Sequence, residues 1–342
     1  MALSPISQRR LFQFKRNRRA WWSFWIFVAV FGVCLFAEVI ANDRPLVVHY
    51  DGGWYFPVVK SYPETVFGGE FETEADYRDP AVAKLVNDKG WMIWPPIRYS
   101  YQTINYNLTV PAPAPPSAEN WLGTDDQGRD VLARLIYGFR ISIVFGLLLT
   151  SISSVIGVTV GAVAGYRGGL FDLLSQRFME IWDGMPMLYM LMIMASVITP
   201  GFFSLLGLML LFAWMGLVGV VRAEFLKARN LDYIRAAKAL GLSTPVIIFK
   251  HAFPNAMVAT LSRLPFIVAG SVATLTSLDF LGFGMPPGSP SLGDIVLQGK
   301  NNLQAPWLGI TAFLSLSTLL SLFTFIGEGV RDAFDPRKIF KE

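Results

Sequence analysis

The sequence predicts an all-α membrane protein with six transmembrane helices and a long external loop after the first. Three observations lead there. Of 342 residues, 53% are hydrophobic and only 16% are charged, too few polar groups to cover a soluble surface. The charges crowd into short stretches and are nearly absent from apolar windows of about 20 residues, the length that crosses a bilayer. Lysine and arginine also favour one set of connecting segments over the other. The single cysteine, Cys34, sits in the first window and has no partner for an internal disulfide. Cytoplasmic loops account for the net charge of +4, so no nucleic-acid partner is expected.

Residues 1–20 form a basic cytoplasmic leader, with Arg9, Arg10, Lys15, Arg16, Arg18 and Arg19 and no acidic residue. The first span follows at 21–41, Trp21 to Ala41. Val39 and Ala41 nearly satisfy the small-residue rule of signal-peptide cleavage. The apolar run nevertheless exceeds the ~7–15 residues of a signal core and opens with aromatic residues, which favours an uncleaved helix.

From residue 42 to 137 the chain is polar, acidic and rich in Pro, Gly and Trp. This is a long external region with some structure of its own, in which Trp54, Tyr55, Trp91 and Trp94 form a small core or rest on the membrane interface. The run Pro111 to Ser117, PAPAPPS, predicts a stiff extended linker back to the membrane. Residues 138–331 hold five more windows, near Ile141–Gly165, Met185–Thr199, Phe202–Val221, Met257–Leu278 and Pro306–Gly327, with a cytoplasmic tail at 332–342. Pro200-Gly201 marks a tight turn between the third and fourth spans.

Six spans place both termini on one side, and the basic residues decide which. The loop from Arg222 to Pro254 carries six, whereas the Thr199–Phe202 turn has none and Asp279–Ala305 has one. An orientation with both termini in the cytoplasm follows. Gly293 to Asn301, GDIVLQGKN, has the wrong spacing for a phosphate loop and Asn301 where Ser or Thr is needed. No nucleotide-binding domain is expected in this chain.

The cytoplasmic loop 222–256 predicts two short helices. The first runs from about Asp232 to Leu240, with Gly241 at the position where a left-handed turn ends a helix. The second takes Thr244 as its N-cap and Pro245 as its first residue, and stops before Pro254. Ala236, Ala237 and Ala239 keep the first helix slim enough for another protein to approach closely.

The spacing Ala236-Ala237-x-x-x-Gly241, with Pro254-Asn255 beyond it, resembles the cytoplasmic loop of bacterial ABC importer permeases. Arg235 stands where that family carries Glu, His251 where it has Ile, and Phe253 where it has Leu. Trp121 to Ile143, Leu278 to Asp294 and Gly329 to Arg337 are similar to motifs of the oligopeptide, dipeptide and nickel branch. The leader, first helix and long external region resemble its C-type subunit, more narrowly the permeases of microcin C and peptide importers.

The resemblance implies a fold and a set of partners. Residues 138–331 would be a five-helix permease core, paired with a homologous permease in the inner membrane. Two ATP-binding subunits or domains and a solute-binding protein would complete the importer. Mg-ATP would belong to the ATPases, with no cofactor in this chain. Tyr233, Arg235, Ala236, Ala237, Ala239, Leu240, Gly241, Pro254 and Asn255 would be the ATPase-coupling residues. Peptide, peptide-nucleotide antibiotic and nickel all remain open as cargo.

Competing roles are weaker. A gradient-driven transporter needs intramembrane acidic residues, and Glu38, Asp279 and Glu328 lie only near span ends. An enzyme needs a nucleophile–base pair or a metal cluster, whereas the two histidines, His49 and His251, fall on opposite sides of the membrane. Arg263 either snorkels to the interface, pairs internally or lines the pathway. Gly157 and Gly161 have the spacing of close helix packing.

Overall fold

A computed structural model describes residues 5–199 and 201–334, with the side chains of Ile6 and Asn255 outside that description. The Pro200 half of the anticipated turn and the Asp335–Arg337 end of the third motif therefore lie outside the described residues, as does most of the tail. The chain forms two compact units. One comprises residues 1–28, 143–285 and 317–342, the other 29–142 and 286–316.

The N-terminal part begins with α1 (Pro5–Arg16), α2 (Arg18–Leu35) and the short α3 (Ala37–Ile40). The first apolar window is thus two helices that break at Phe36. The region between residues 42 and 137 is not all-α. Strands β1 (Val47–Tyr50), β2 (Gly53–Tyr55) and, after α4 (Pro80–Lys89), β3 (Gly90–Ile93) form an antiparallel sheet in the order β2-β1-β3. Val48 and Tyr50 alternate inward, as strand geometry requires, onto Phe67, Tyr77, Val82 and Val86. Tyr55 and Trp94 pack at the edge of this small core, while Trp54 and Trp91 remain exposed around His49.

The proline-rich run is not a free linker. Ala114 is buried, its N–H donates to Thr124 Oγ1 at 2.8 Å, and its carbonyl accepts from the Thr124 N–H at 2.9 Å. These two hydrogen bonds, one in each direction, pin the run to the segment around Thr124.

Next come α5 (Val131–Arg167), α6 (Gly169–Asp183), α7 (Met187–Val197), α8 (Phe202–Ala213) and α9 (Met215–Ala228). The loop and last spans follow as α10 (Asp232–Ala239), α11 (Thr244–Val246), a π-helical stretch at Ile247–Ala252, α12 (Phe253–Leu261), α13 (Leu264–Phe280), α14 (Leu292–Asn301) and α15 (Pro306–Phe334). Among the described residues five helical segments are long and apolar enough to cross a membrane: Arg18–Leu35, Val131–Arg167, Phe202–Ala228, Ala256–Phe280 and Pro306–Phe334. The third window yields only the eleven residues of α7. The rejected phosphate-loop stretch, Gly293 to Asn301, is helical within α14.

The second window starts ten residues earlier than its apolar run because α5 carries Arg134 and Arg140 within its first turns. Burial and pairing make those charges tolerable there, with Arg140 held 2.8 Å from Glu38. Within the Ala256–Phe280 segment the helix breaks at Ser262 and Arg263 before Pro265 reopens it. Arg263, Glu224 and Arg331 line a cavity of about 710 Å³ there.

Glycine spacing on α5 decides how the membrane unit packs. A Cβ on Gly161 would lie 2.8 Å from the Val218 carbonyl and 2.9 Å from Val221 Cβ. At Gly165 it would meet the Arg222 carbonyl at 2.5 Å, and Gly157 faces Trp214 and Leu217 in the same way. Three glycines four residues apart form one stripe, so α9 lies directly on the α5 backbone. Beside them Arg222 of α9 holds Asp172 of α6 through Nε at 2.5 Å and Nη2 at 2.7 Å.

Two outcomes test this packing. Gly161→Ala should lower the melting temperature in detergent, overpacking of this kind costing about 1–3 kcal/mol. Gly216→Ala on α9 meets nothing within 4 Å and should leave it unchanged or raise it. The Arg222 hydrogen bonds hold the Asp172 carboxyl below the usual carboxylate range. The stability they add is therefore full above that range and falls as pH drops through the depressed value. Asp172→Asn should flatten the acid limb of a melting-temperature-versus-pH curve.

Candidate coupling surface

The loop between the Phe202–Ala228 and Ala256–Phe280 segments is built from α9 outward. The last turn of α9 tightens, with the Asn230 N–H on the Lys227 carbonyl at 3.2 Å and the Leu231 N–H on the Ala228 carbonyl at 3.0 Å. Leu231 then takes an extended conformation and α10 starts with Asp232 in its positive first turn.

Gly241 ends α10 as the sequence anticipates. Its φ is +77°, its N–H bonds the Lys238 carbonyl at 3.0 Å, and the Leu242 N–H reaches back to the Ala237 carbonyl at 3.2 Å. These are the two bonds of a Schellman cap, which requires the left-handed residue that glycine supplies most cheaply.

Burial divides the helix differently from its sequence. Ile234 and Ala237, three residues apart, face inward onto Phe225, Ala228, Ile247 and Ala252. Ala237 is only 6% exposed, so it belongs to the chain's own core and offers no surface to another protein. Tyr233, Arg235, Ala236, Ala239, Leu240 and Gly241 are exposed.

The second half of the loop departs further. Ser243, one residue before the expected Thr244, is the N-cap, and neither its side chain nor that of Thr244 makes a capping bond. The helix does not stop before Pro254. It widens into the π stretch Ile247–Ala252 and continues as α12 with Pro254 in its first turn. Widening explains the tolerance: a π turn moves the carbonyl that an α-helix would drive into the pyrrolidine ring. Asn255 lies on α12, with only its backbone described.

Outward-facing side chains that the sequence reading missed complete the surface. Leu240 is 82% exposed and Phe249 68%, with Leu242 and Val246 also open. The signal was available as apolar residues at 246 and 249, three apart, on a helix whose inner face is Ile247 and Ala252. Together with Tyr233 and Ala236 they form an apolar face around the Gly241 turn, a feature that marks a protein contact.

Within the other compact unit, two motifs, Trp121 to Ile143 and Leu278 to Asp294, meet in one network. Arg134 is fully buried, and its Nη2 donates to Asp294 Oδ2 at 2.8 Å and to the Ser289 carbonyl at 3.0 Å. Asp125 approaches its Nε at 3.4 Å and pairs with Arg129 at 2.7 Å. Burial, then the neighbouring Asp125 and Asp294, push the Asp126 carboxyl above its ordinary range. Burial raises Asp130 too, against hydrogen bonds from Ala133 and Asn120. The Asp126 N–H donates to Gln298 Oε1 at 3.1 Å, closing the network onto α14.

Residues 157–340 match the family described as the inner membrane component of binding-protein-dependent transport systems, and residues 4–52 match the N-terminal transmembrane domain of oligopeptide transport permease C. The chain belongs to this permease family. It is 60% identical to the inner membrane ABC transporter permease protein YejE of Escherichia coli, over 98% of both chains. It is 57% identical to the peptidoglycan transport system permease protein YejE of Agrobacterium fabrum, over 99% of this chain and 95% of that one. To the oligopeptide transport system permease protein OppC of Bacillus subtilis it is 35% identical, over 70% of this chain and 78% of the relative.

The protein is therefore a multi-pass permease subunit of an ABC importer in the inner membrane. Such permeases are not themselves enzymes, and ATP hydrolysis is carried by separate subunits. The buried network yields one test on the permease. Arg134→Ala strands the carboxylates and should cost about 3–5 kcal/mol, read as loss of the folded, monodisperse protein in detergent. Asp294→Asn keeps a hydrogen-bond acceptor and should cost less.

Proposed function

We propose that this permease imports peptides or peptide-like compounds, with peptidoglycan fragments among them, and that α10 and the Gly241 turn deliver the force of ATP hydrolysis to its membrane helices. The names of the Agrobacterium fabrum and Bacillus subtilis relatives support the cargo. The observation that carries the coupling role is the exposed apolar face of Tyr233, Ala236, Leu240, Leu242, Val246 and Phe249, backed by Ile234 and Ala237 on a rigid core. A surface of this kind needs a protein partner, and a cytoplasmic ATPase supplies one. Arg235 and Ala239 flank the contact, Pro254 and Asn255 lead from it into the Ala256–Phe280 segment.

The rest of the assembly follows the family logic. A homologous permease completes the translocation path, two ATP-binding subunits or domains bind Mg-ATP, and a solute-binding protein delivers cargo to the external side. This chain itself holds no cofactor. Both termini lie in the cytoplasm, which requires six crossings. The short α7 makes the sixth, packing Leu191 in one core with Leu205, Leu208 and Met209 of α8. The sheet-bearing region between α3 and α5 is then external, and the basic leader internal.

Coupling is tested on the reconstituted importer. A β-branched side chain at a left-handed position is strained by about 1–2 kcal/mol. Gly241→Val should therefore misplace the turn and lower the number of substrates moved per ATP. Leu240→Asp should reduce recovery of the ATPase with the tagged permease. Wild-type stoichiometry in the first variant and wild-type recovery in the second would remove this surface from the mechanism. Uptake that ignores ATP would point to a gradient-driven transporter instead.

A further inference from the structure

Residues 53–156 fall outside both family matches, and the sheet-bearing region there contains two clefts that nothing above uses. They share Tyr77, Arg78 and Asn107 as common walls. The larger, about 490 Å³, presents the aromatic rings of Trp94, Tyr99 and Trp121. It also presents two guanidinium groups in fixed positions. Arg78 lies 4.2 Å from the Tyr99 ring centroid and Arg98 lies 5.4 Å from that of Trp94.

Stacking on a ring orients a guanidinium while leaving most of its N–H donors directed at the cleft. Among the described residues neither arginine forms an ion pair, in contrast to Arg44, which is held by Glu74 at 2.7 Å. The one carboxylate in this cleft, Glu119, is engaged by the Tyr99 hydroxyl at 3.1 Å. Across the shared wall the other cleft, about 470 Å³, is acidic, with Asp43, Glu74, Asp76 and Asp79 around Arg44.

The shared wall itself carries an unmet demand. Tyr77 is 2% exposed, and its hydroxyl has no hydrogen-bond partner. A buried hydroxyl without a partner is costly, and such groups recur where a ligand supplies the missing bond.

We propose that these clefts are a peptide-binding site on the external side of the permease, which takes a short peptide by its free carboxylate. Arg78 and Arg98 hold the carboxylate, the preferred partner of a planar guanidinium fork. The Trp94, Tyr99 and Trp121 rings cover the side chains next to it. The peptide's polar backbone reaches Tyr77, and its ammonium end extends toward the acidic cleft. This inference rests on the reading of the chain as a peptide importer subunit and adds a cargo site in the membrane subunit itself.

The test uses the complete permease and ATPase assembly in lipid nanodiscs, without solute-binding protein. Trialanine and trialanine amide are titrated by calorimetry. The free acid should bind, the amide should bind about tenfold more weakly or less, and Arg98→Gln should bring the acid down to the amide. Lys60→Gln, on an exposed cation outside both clefts, should change nothing. Trp121→Ala, at an exposed rim position, gives a second weakened variant should Arg98→Gln fold poorly.

Equal affinity for acid and amide, no binding of either, or unchanged binding by both cleft variants would overturn the proposal. So would variants that lose only capture of the solute-binding protein, which would make the clefts a docking surface. ATP-driven trialanine uptake with all components is measured in parallel. Uptake by the wild type without binding at the clefts refutes this inference alone, whereas absence of uptake tells against the importer reading.

Discussion

The contact between the α5 backbone and α9 is the constraint on which the loop from Arg222 to Ala256 depends. Gly157, Gly161 and Gly165 leave no side chain between the two helices, so carbonyls of Val218 and Arg222 sit where a Cβ would otherwise stand. A helix held this closely cannot slide or roll without breaking many small dispersion contacts at once. Phe225 and Ala228, at the end of the same helix, then form the floor on which Ile234, Ala237, Ile247 and Ala252 pack. The outward apolar face around Leu240 is therefore attached to the membrane core through a continuous packed path.

Much of this was legible from residue order, and the failures share a cause. Gly241 was readable because a left-handed cap has a strong residue preference and a short-range geometry. The glycine stripe was readable because four-residue spacing fixes a helix face. Ala237 was misplaced because an eight-residue helix of small residues does not announce which face is buried; only the positions of Phe225 and Ala228 settle that. Pro254 was misjudged because the rule that proline ends a helix assumes α geometry, and the chain widens before it instead.

The helix α5 begins ten residues before its apolar run for an electrostatic reason. Arg134 looks like an external loop residue until Asp294 and the Ser289 carbonyl, 160 and 155 residues further along, are brought to it. Pairing over such separations leaves no trace in local composition. The short strands β1 to β3 were equally hidden, since three or four residues of alternating burial give little periodic signal. PAPAPPS was taken for a spacer because its hydrogen-bonding partner, Thr124, acts through geometry rather than proximity to a motif.

The π stretch Ile247–Ala252 sets the angular phase of everything that follows it. Each α-helical residue advances the chain by about 100°, so one extra residue in a widened turn rotates the downstream helix by that amount about its axis. The two halves of this continuous rod can thus present independent faces, the first to Phe225 and Ala228, the second to its neighbouring helices. Single-residue insertions or deletions confined to the widened turn would retune that phase without rewriting either half.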